Sequence, residues 1–149
     1  MQKYKSISSL WSVMLKEQAT GLVKRLLPTN APIKVFATYK HSDKVCGIAF
    51  SYSENLKVSI DSFLNLKELY VQLYLDAAYK SRKLLIIQLS SDINKDIFAY
   101  LCDSLIESIE NCNTESKAIK VVINRLEKWK SMFAKGTSDG LSVMEQQGL

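Results

Sequence analysis

ELYVQLYLDAAYKSRKLLIIQL, residues 68–89, carries two apolar runs of different pattern joined by a short polar connection. In the first, Leu69, Val71, Leu73 and Leu75 alternate with Glu68, Tyr70, Gln72 and Tyr74, the period-two signature of a strand with one buried face. The second, KLLIIQL over residues 83–89, is apolar at nearly every position, so it is expected to be covered on both faces and to lie centrally in a sheet. Short polar links of this kind favour antiparallel neighbours over helical crossovers.

The pattern continues upstream. Ile33, Val35 and Ala37 alternate with Lys34, Phe36 and Thr38, and His41, Ser42 and Asp43 form a polar turn into residues 45–52, where Ile48, Phe50 and Tyr52 share a face. These two runs read as a hairpin. A second polar turn at residues 53–55 leads to Leu56, Val58 and Ile60 alternating with Lys57, Ser59 and Asp61, the cleanest alternation in the chain, which predicts a further strand.

Helical periodicity brackets the strands. Ile7, Leu10, Trp11, Met14 and Leu15 make one apolar stripe over residues 7–18, with Lys16 and Glu17 off it, and Pro28, Asn30 and Pro32 mark the loop that follows. After the strands, Ile97, Phe98, Leu101, Leu105 and Ile109 form a stripe on an acidic helix that Asp92 can cap. Ile119, Val122, Leu126, Trp129 and Phe133 form another on a basic helix that Asn113 or Thr114 can cap. Asp96, Asp103, Glu107 and Glu110 on one helix and Lys117, Lys120, Arg125, Lys128 and Lys130 on the other predict a hairpin joined by complementary charge. The expected fold class is α+β: a mostly antiparallel sheet of about five strands with an N-terminal helix and a C-terminal helical hairpin.

Composition places the chain among packed globular proteins, with 149 residues, 47% of them hydrophobic, and only 5 Gly and 2 Pro. Residues 1–134 are expected to form one α+β domain. Residues 135–149, AKGTSDGLSVMEQQGL from Ala134 onward, lose apolar periodicity and read as a linker, or as the start of a further helix capped by Asp139 or Ser142 that leads to a downstream domain. No run of about 18 apolar residues exists, and the first twenty residues lack a continuous apolar segment with a cleavage site, so a cytoplasmic location without membrane insertion is expected. Cys46, Cys102 and Cys112 match no zinc spacing and are expected to be reduced and buried or incidental.

The net charge of +5 is unevenly spread. Residues 1–40 hold Lys3, Lys5, Lys16, Lys24, Arg25, Lys34 and Lys40 against the single acid Glu17. Such a bias favours polyanions, through steering and counterion release, and makes these seven residues the candidate nucleic-acid contacts. Tyr70 and Tyr74, on the polar face of their strand, are candidates to stack on bases or on a partner peptide, or to pack beneath a covering helix. Trp11 and Trp129 lie on apolar stripes and are expected to anchor the core.

The search for catalytic groups is negative. The one histidine, His41, sits in a predicted turn, with neither a nucleophile elbow nor a cluster of metal ligands beside it. No glycine-rich phosphate loop occurs. Glu115, Ser116 and Lys117 spell E-x-K, the second half of a restriction-type nuclease signature, but the motif opens a helix where a nuclease needs it on a core strand, and helix capping explains Glu115. No catalytic, cofactor-binding or metal-binding residue is assigned.

Phe98, Leu101, Cys102 and Asp103 in the first C-terminal helix, Arg125, Leu126 and Trp129 in the second, and Leu141, Ser142, Glu145, Gly148 and Leu149 at the terminus follow one another in a familiar order. In that order the chain resembles the N-terminal half of a prokaryotic family of PD-(D/E)XK motif proteins encoded near restriction and phage-defence genes. The resemblance implies an N-terminal domain, or a shortened member, that precedes a Mg²⁺-dependent nuclease-like core and lacks that core's acids and lysine. The expected function is therefore a non-catalytic accessory domain of a restriction-like defence nuclease that contributes DNA contact or assembly. The alternative is a protein-interaction domain that docks on the downstream nuclease domain or on another defence protein without binding nucleic acid. A complete small nuclease is the remaining possibility.

Overall fold

A computed structural model of the chain describes residues 6–77, 79–91 and 94–134. Five strands form one sheet: β1 (Leu22–Leu26), β2 (Lys34–Lys40), β3 (Val45–Ser53), β4 (Leu69–Leu75) and β5 (Arg82–Leu89). Their spatial order is β1-β2-β3-β5-β4, with every neighbouring pair antiparallel. Helix α1 (Ile7–Leu15) precedes the sheet, and α2 (Lys95–Glu110) and α3 (Glu115–Ala134) follow it. The expected α+β architecture is the one observed, and β5 takes the interior position that its apolar run predicts.

Three local expectations are corrected. Residues 56–61 are not a strand. Leu56, Val58 and Ile60 do turn toward the core while Lys57, Ser59 and Asp61 face out, but β1 and β4 form the two edges of the sheet and the segment pairs with neither. Alternation reports an extended backbone with one buried side; it does not report a ladder. The extended run is needed because β3 and β4 both pair antiparallel with β5, so the chain must travel back along the sheet between them. A short 3-10 turn (Asp61–Phe63) ends that return and seats Phe63 in the core.

The fifth strand is instead β1, in what reads as loop. Its sequence LVKRL has no alternation to detect, since four of its five residues are exposed. Two consecutive charges suit an edge strand, where they deter pairing with another chain. Helix α1 also stops at Leu15 instead of residue 18, and Leu15 lies outside the buried stripe.

The helices cover one face of the sheet. Inward from that face point Val35, Ala37, Tyr39, Ile48, Phe50, Val71, Leu85 and Ile87, in one core with residues of all three helices. At nine residues α1 is too short to hold helix by itself, so its position must come from tertiary contacts. Trp11 supplies the main one: its fully buried ring stacks on Phe98 of α2 at 5.7 Å between centroids, and Nε1 donates to the Gly47 carbonyl at 2.9 Å. Phe98 in turn meets Trp129 of α3 edge-on at 6.0 Å, so three aromatic rings tie the three helices together. Both tryptophans are core anchors, as their stripes imply.

At its N-terminus α1 is held by a side chain from α2. Asp103 accepts from the Ile7 amide at 2.9 Å and from the Ser6 hydroxyl at 2.6 Å, placing a carboxylate where the helix dipole favours one. Asp103 of the acidic helix thus serves α1. Glu110 accepts from the Asn30 amide, and Arg125 of α3 reaches the hydroxyls of Ser104 and Ser108 at 3.2 and 2.6 Å. Apolar stripes join α2 to α3: Leu105, Ile109, Ala118, Val122 and Leu126 are fully buried. Thr114 caps α3 through its hydroxyl, which accepts from the Lys117 amide, whereas Asp92 lies outside the described residues.

Gly47 is the tightest point of the sheet. A Cβ placed on it meets the Ile87 carbonyl oxygen at 2.6 Å, Thr38 Oγ1 at 2.5 Å and Gln88 Cγ at 2.8 Å. Because the Ile87 oxygen is backbone, the strands themselves must part. Gly47→Ala is expected to lower unfolding free energy by about 3 kcal/mol, read from the guanidinium midpoint. The cysteines give a second check. Cys46 and Cys102 are buried, and burial pushes the Cys102 thiol well above its ordinary range, while Cys112 is half-buried. Under native conditions a thiol reagent is expected to label Cys112 first, with Cys46 and Cys102 reacting only as the protein unfolds.

Candidate functional site

None of the helices contributes to the cluster on the other face of the sheet, which consists of Phe36, Ala49, Leu84 and Ile86. The register sets the rows of this outer face. Lys24, Thr38, Gly47, Gln88 and Tyr70 line up across the five strands, followed by Leu26, Phe36, Ala49, Ile86 and Gln72. Lys34, Ser51, Leu84 and Tyr74 form the next row.

The face is concave. β1 and β4 are opposite edges, yet Lys24 Nζ of β1 lies 3.7 Å from Oδ1 of Asp76, the residue after β4. A hollow of about 360 Å³ is lined by Leu22 and Lys24 from one edge, Tyr74 and Leu75 from the other, and Thr38, Leu84 and Ile86 between them. A smaller hollow of about 260 Å³ adjoins Lys40, Tyr70 and Gln88. Phe36 and Ile86 are buried on this curled face, away from the described helices.

Polar chemistry collects at two places on the face. In the row through Gly47, Thr38 and Gln88 are 0% and 4% exposed, and neither Thr38 Oγ1 nor Gln88 Nε2 has a hydrogen-bond partner among the described residues. An unmet buried polar group costs about 1–3 kcal/mol, so these two atoms need an explanation. At the far end of the face, Asp76 is buried and accepts from the Ser51 hydroxyl at 3.1 Å. Arg82 donates to that hydroxyl at 3.1 Å and to the Ser51 carbonyl at 2.9 Å. The same guanidinium holds both oxygens of Glu115, at 3.1 and 3.3 Å, and Glu115 also accepts from the Ser53 amide at 3.0 Å.

Glu115 is thereby committed to joining α3 to β3 and β5. Its carboxylate faces an arginine, and Lys117 is exposed one helical step on, so the E-x-K residues do not fit a Mg²⁺ site. Among the described residues no three His, Cys, Asp or Glu side chains gather where a metal ion could be held. His41 lies in the β2–β3 turn, its ring edge-on to Tyr39 at 4.9 Å.

The seven basic residues separate into groups. Lys3 and Lys5 lie outside the described residues. Lys16 is exposed beyond α1, and Arg25, on the helix side of β1, pairs with Glu17. Lys24, Lys34 and Lys40 are brought together on the outer face. Lys24 sits over the Phe36 ring at 4.7 Å and Lys34 over Tyr79 at 4.0 Å. Lys40 pairs with Asp43 at 2.9 Å, and that hydrogen bond raises its pKa, keeping it charged. Tyr70 and Tyr74 are 50% and 46% exposed on the same face. The row of Thr38, Gly47 and Gln88 was not predicted, although a lone glycine inside a strand pattern is the signal for close backbone or ligand approach.

The Arg82 network predicts a stability effect. Arg82→Ala leaves Glu115 and the Ser51 carbonyl short of donors and is expected to lower unfolding free energy by about 1–3 kcal/mol. In a double-mutant cycle with Glu115→Ala the two losses should fall well short of additive, measured from denaturant midpoints.

A family model described as "Putative PD-(D/E)XK family member, (DUF4420)" matches residues 7–149. Comparisons with curated proteins and with solved structures give no match. The matched span takes in the strands and α1 as well as the two helices whose residues carry the resemblance. The chain therefore belongs to this PD-(D/E)XK family.

Proposed function

We propose that this chain is a non-catalytic, N-terminal accessory domain of a restriction-like defence nuclease in the cytoplasm, and that it holds DNA on the outer face of its sheet. One observation carries the reading: the sheet face that no described helix covers presents Lys24, Lys34 and Lys40 together with half-exposed Tyr70 and Tyr74. Lysines at the rim of a concave surface contact phosphates, and phenol rings offer stacking area to bases. Mg²⁺ chemistry belongs, in this reading, to the nuclease-like core of the family, because Glu115 and Lys117 do not form a metal site.

A second reading is favoured by a different feature. Leu22 and Leu26 on β1 and Leu75 on β4 are exposed along the two edges of the face, which suits docking of the nuclease core or of another defence protein without nucleic acid.

The two readings separate in a binding measurement. The purified chain is expected to retain a DNA fragment with duplex and single-stranded stretches at low salt, with affinity falling steeply as salt rises. Replacing Lys24, Lys34 and Lys40 by alanine together should reduce the slope of log affinity against log salt by about 2. Alanine at Lys120 and Lys128, on α3, should leave that slope unchanged. No retention at low salt removes the DNA reading and leaves docking.

A further inference from the structure

Duplex DNA presents phosphates and groove edges while its base faces are stacked inward, whereas a single strand offers its bases to aromatic side chains. The hollow between the two sheet edges has the volume of a cube roughly 7 Å on a side, too small to admit a duplex, whose major groove alone is ~12 Å wide. Its walls are base-like in chemistry. Leu22, Leu75, Leu84 and Ile86 are apolar, and Tyr74 brings a half-exposed ring. Tyr70, on the same strand and face, stands roughly 13 Å away, about four steps of a strand stacked at ~3.4 Å.

The floor of the face supplies what an apolar slot alone lacks. Thr38 Oγ1 and Gln88 Nε2 flank Gly47, are buried, and have no partner among the described residues. A hydroxyl both donates and accepts and an amide nitrogen donates, so each can meet a polar group on the edge of a base. Lys24 and Tyr74, which line the same hollow as Thr38, are partly exposed side chains. Lys24 keeps about a third of its side chain exposed beside its 3.7 Å contact with Asp76, so the ammonium has a solvent side that a phosphate can meet.

We infer that the outer face takes single-stranded DNA, with one base in the hollow against Tyr74, its edge toward Thr38, and a second base on Tyr70 beside Gln88. This rests on the nucleic-acid reading of the same face and narrows it to one form of substrate.

The test uses the full 149-residue chain and fluorescence anisotropy with a labelled mixed-sequence oligodeoxynucleotide, offered single-stranded and as its duplex at one salt concentration. The single strand is expected to bind at least tenfold more tightly. Tyr74→Ala should weaken it about tenfold or more while changing duplex affinity less than twofold, and Tyr74→Phe, which keeps the ring, should restore binding. Unchanged thermal unfolding of both variants ties the loss to the surface. Equal affinity for the two forms, or single-strand binding indifferent to Tyr74→Ala, overturns this inference and leaves a phosphate-binding face standing. Failure to bind either form at low salt overturns this inference together with the DNA reading and leaves docking.

Discussion

Gly47 couples the two faces of the sheet. On the helix side its carbonyl oxygen receives the Trp11 indole, which fixes α1 and, through the stack onto Phe98 and the edge contact with Trp129, the whole helical layer. On the other side its missing side chain leaves the space that the Thr38 hydroxyl and the Gln88 side chain close over from the two neighbouring strands. One residue without a Cβ thus satisfies two packing demands that any larger residue would set against each other.

The outer face follows from this tight centre and from the sheet's curl. With β2, β3 and β5 pressed together at Gly47, the outer strands β1 and β4 bend toward each other until Lys24 reaches Asp76. The Asp76, Ser51, Arg82 and Glu115 network then fastens the β4–β5 hairpin to β3 and to the first turn of α3. Its charges are mutually satisfied and hold the frame. Two of the buried polar atoms without a partner among the described residues, Thr38 Oγ1 and Gln88 Nε2, lie apart from this network on the row through Gly47, while His41 Nε2 and Tyr52 Oη lie off that row.

Much of the frame is legible in the sequence because burial imposes a period. The stripe from Ile119 to Phe133 and the apolar run of β5 each report one environment along their whole length, and both are where the pattern puts them. β1 escapes because an edge strand buries too little to be patterned. Residues 56–61 mislead for the opposite reason: their burial alternates, but hydrogen-bond pairing depends on distant strands that no local window contains. Of the site, Tyr70, Tyr74 and the lysines are visible as residue types on a polar face. That Lys24, Lys34 and Lys40 share one surface while Arg25 turns to the other, and that Thr38 and Gln88 flank one glycine, depends on strand order and register, which the sequence does not display.

Membership of a PD-(D/E)XK family sets an expectation of nuclease chemistry, and the geometry of Glu115 directs attention away from catalysis and toward the concave sheet surface. The central claim is that this surface, and not the helical layer, meets nucleic acid. Backbone amide shifts of the ¹⁵N-labelled protein, followed as a short single-stranded oligodeoxynucleotide is added at low salt, test it directly. The account predicts changes concentrated in β1, β4 and the amides around Thr38, Gly47 and Gln88, with α2 and α3 nearly silent; changes concentrated on α2 and α3 would contradict it.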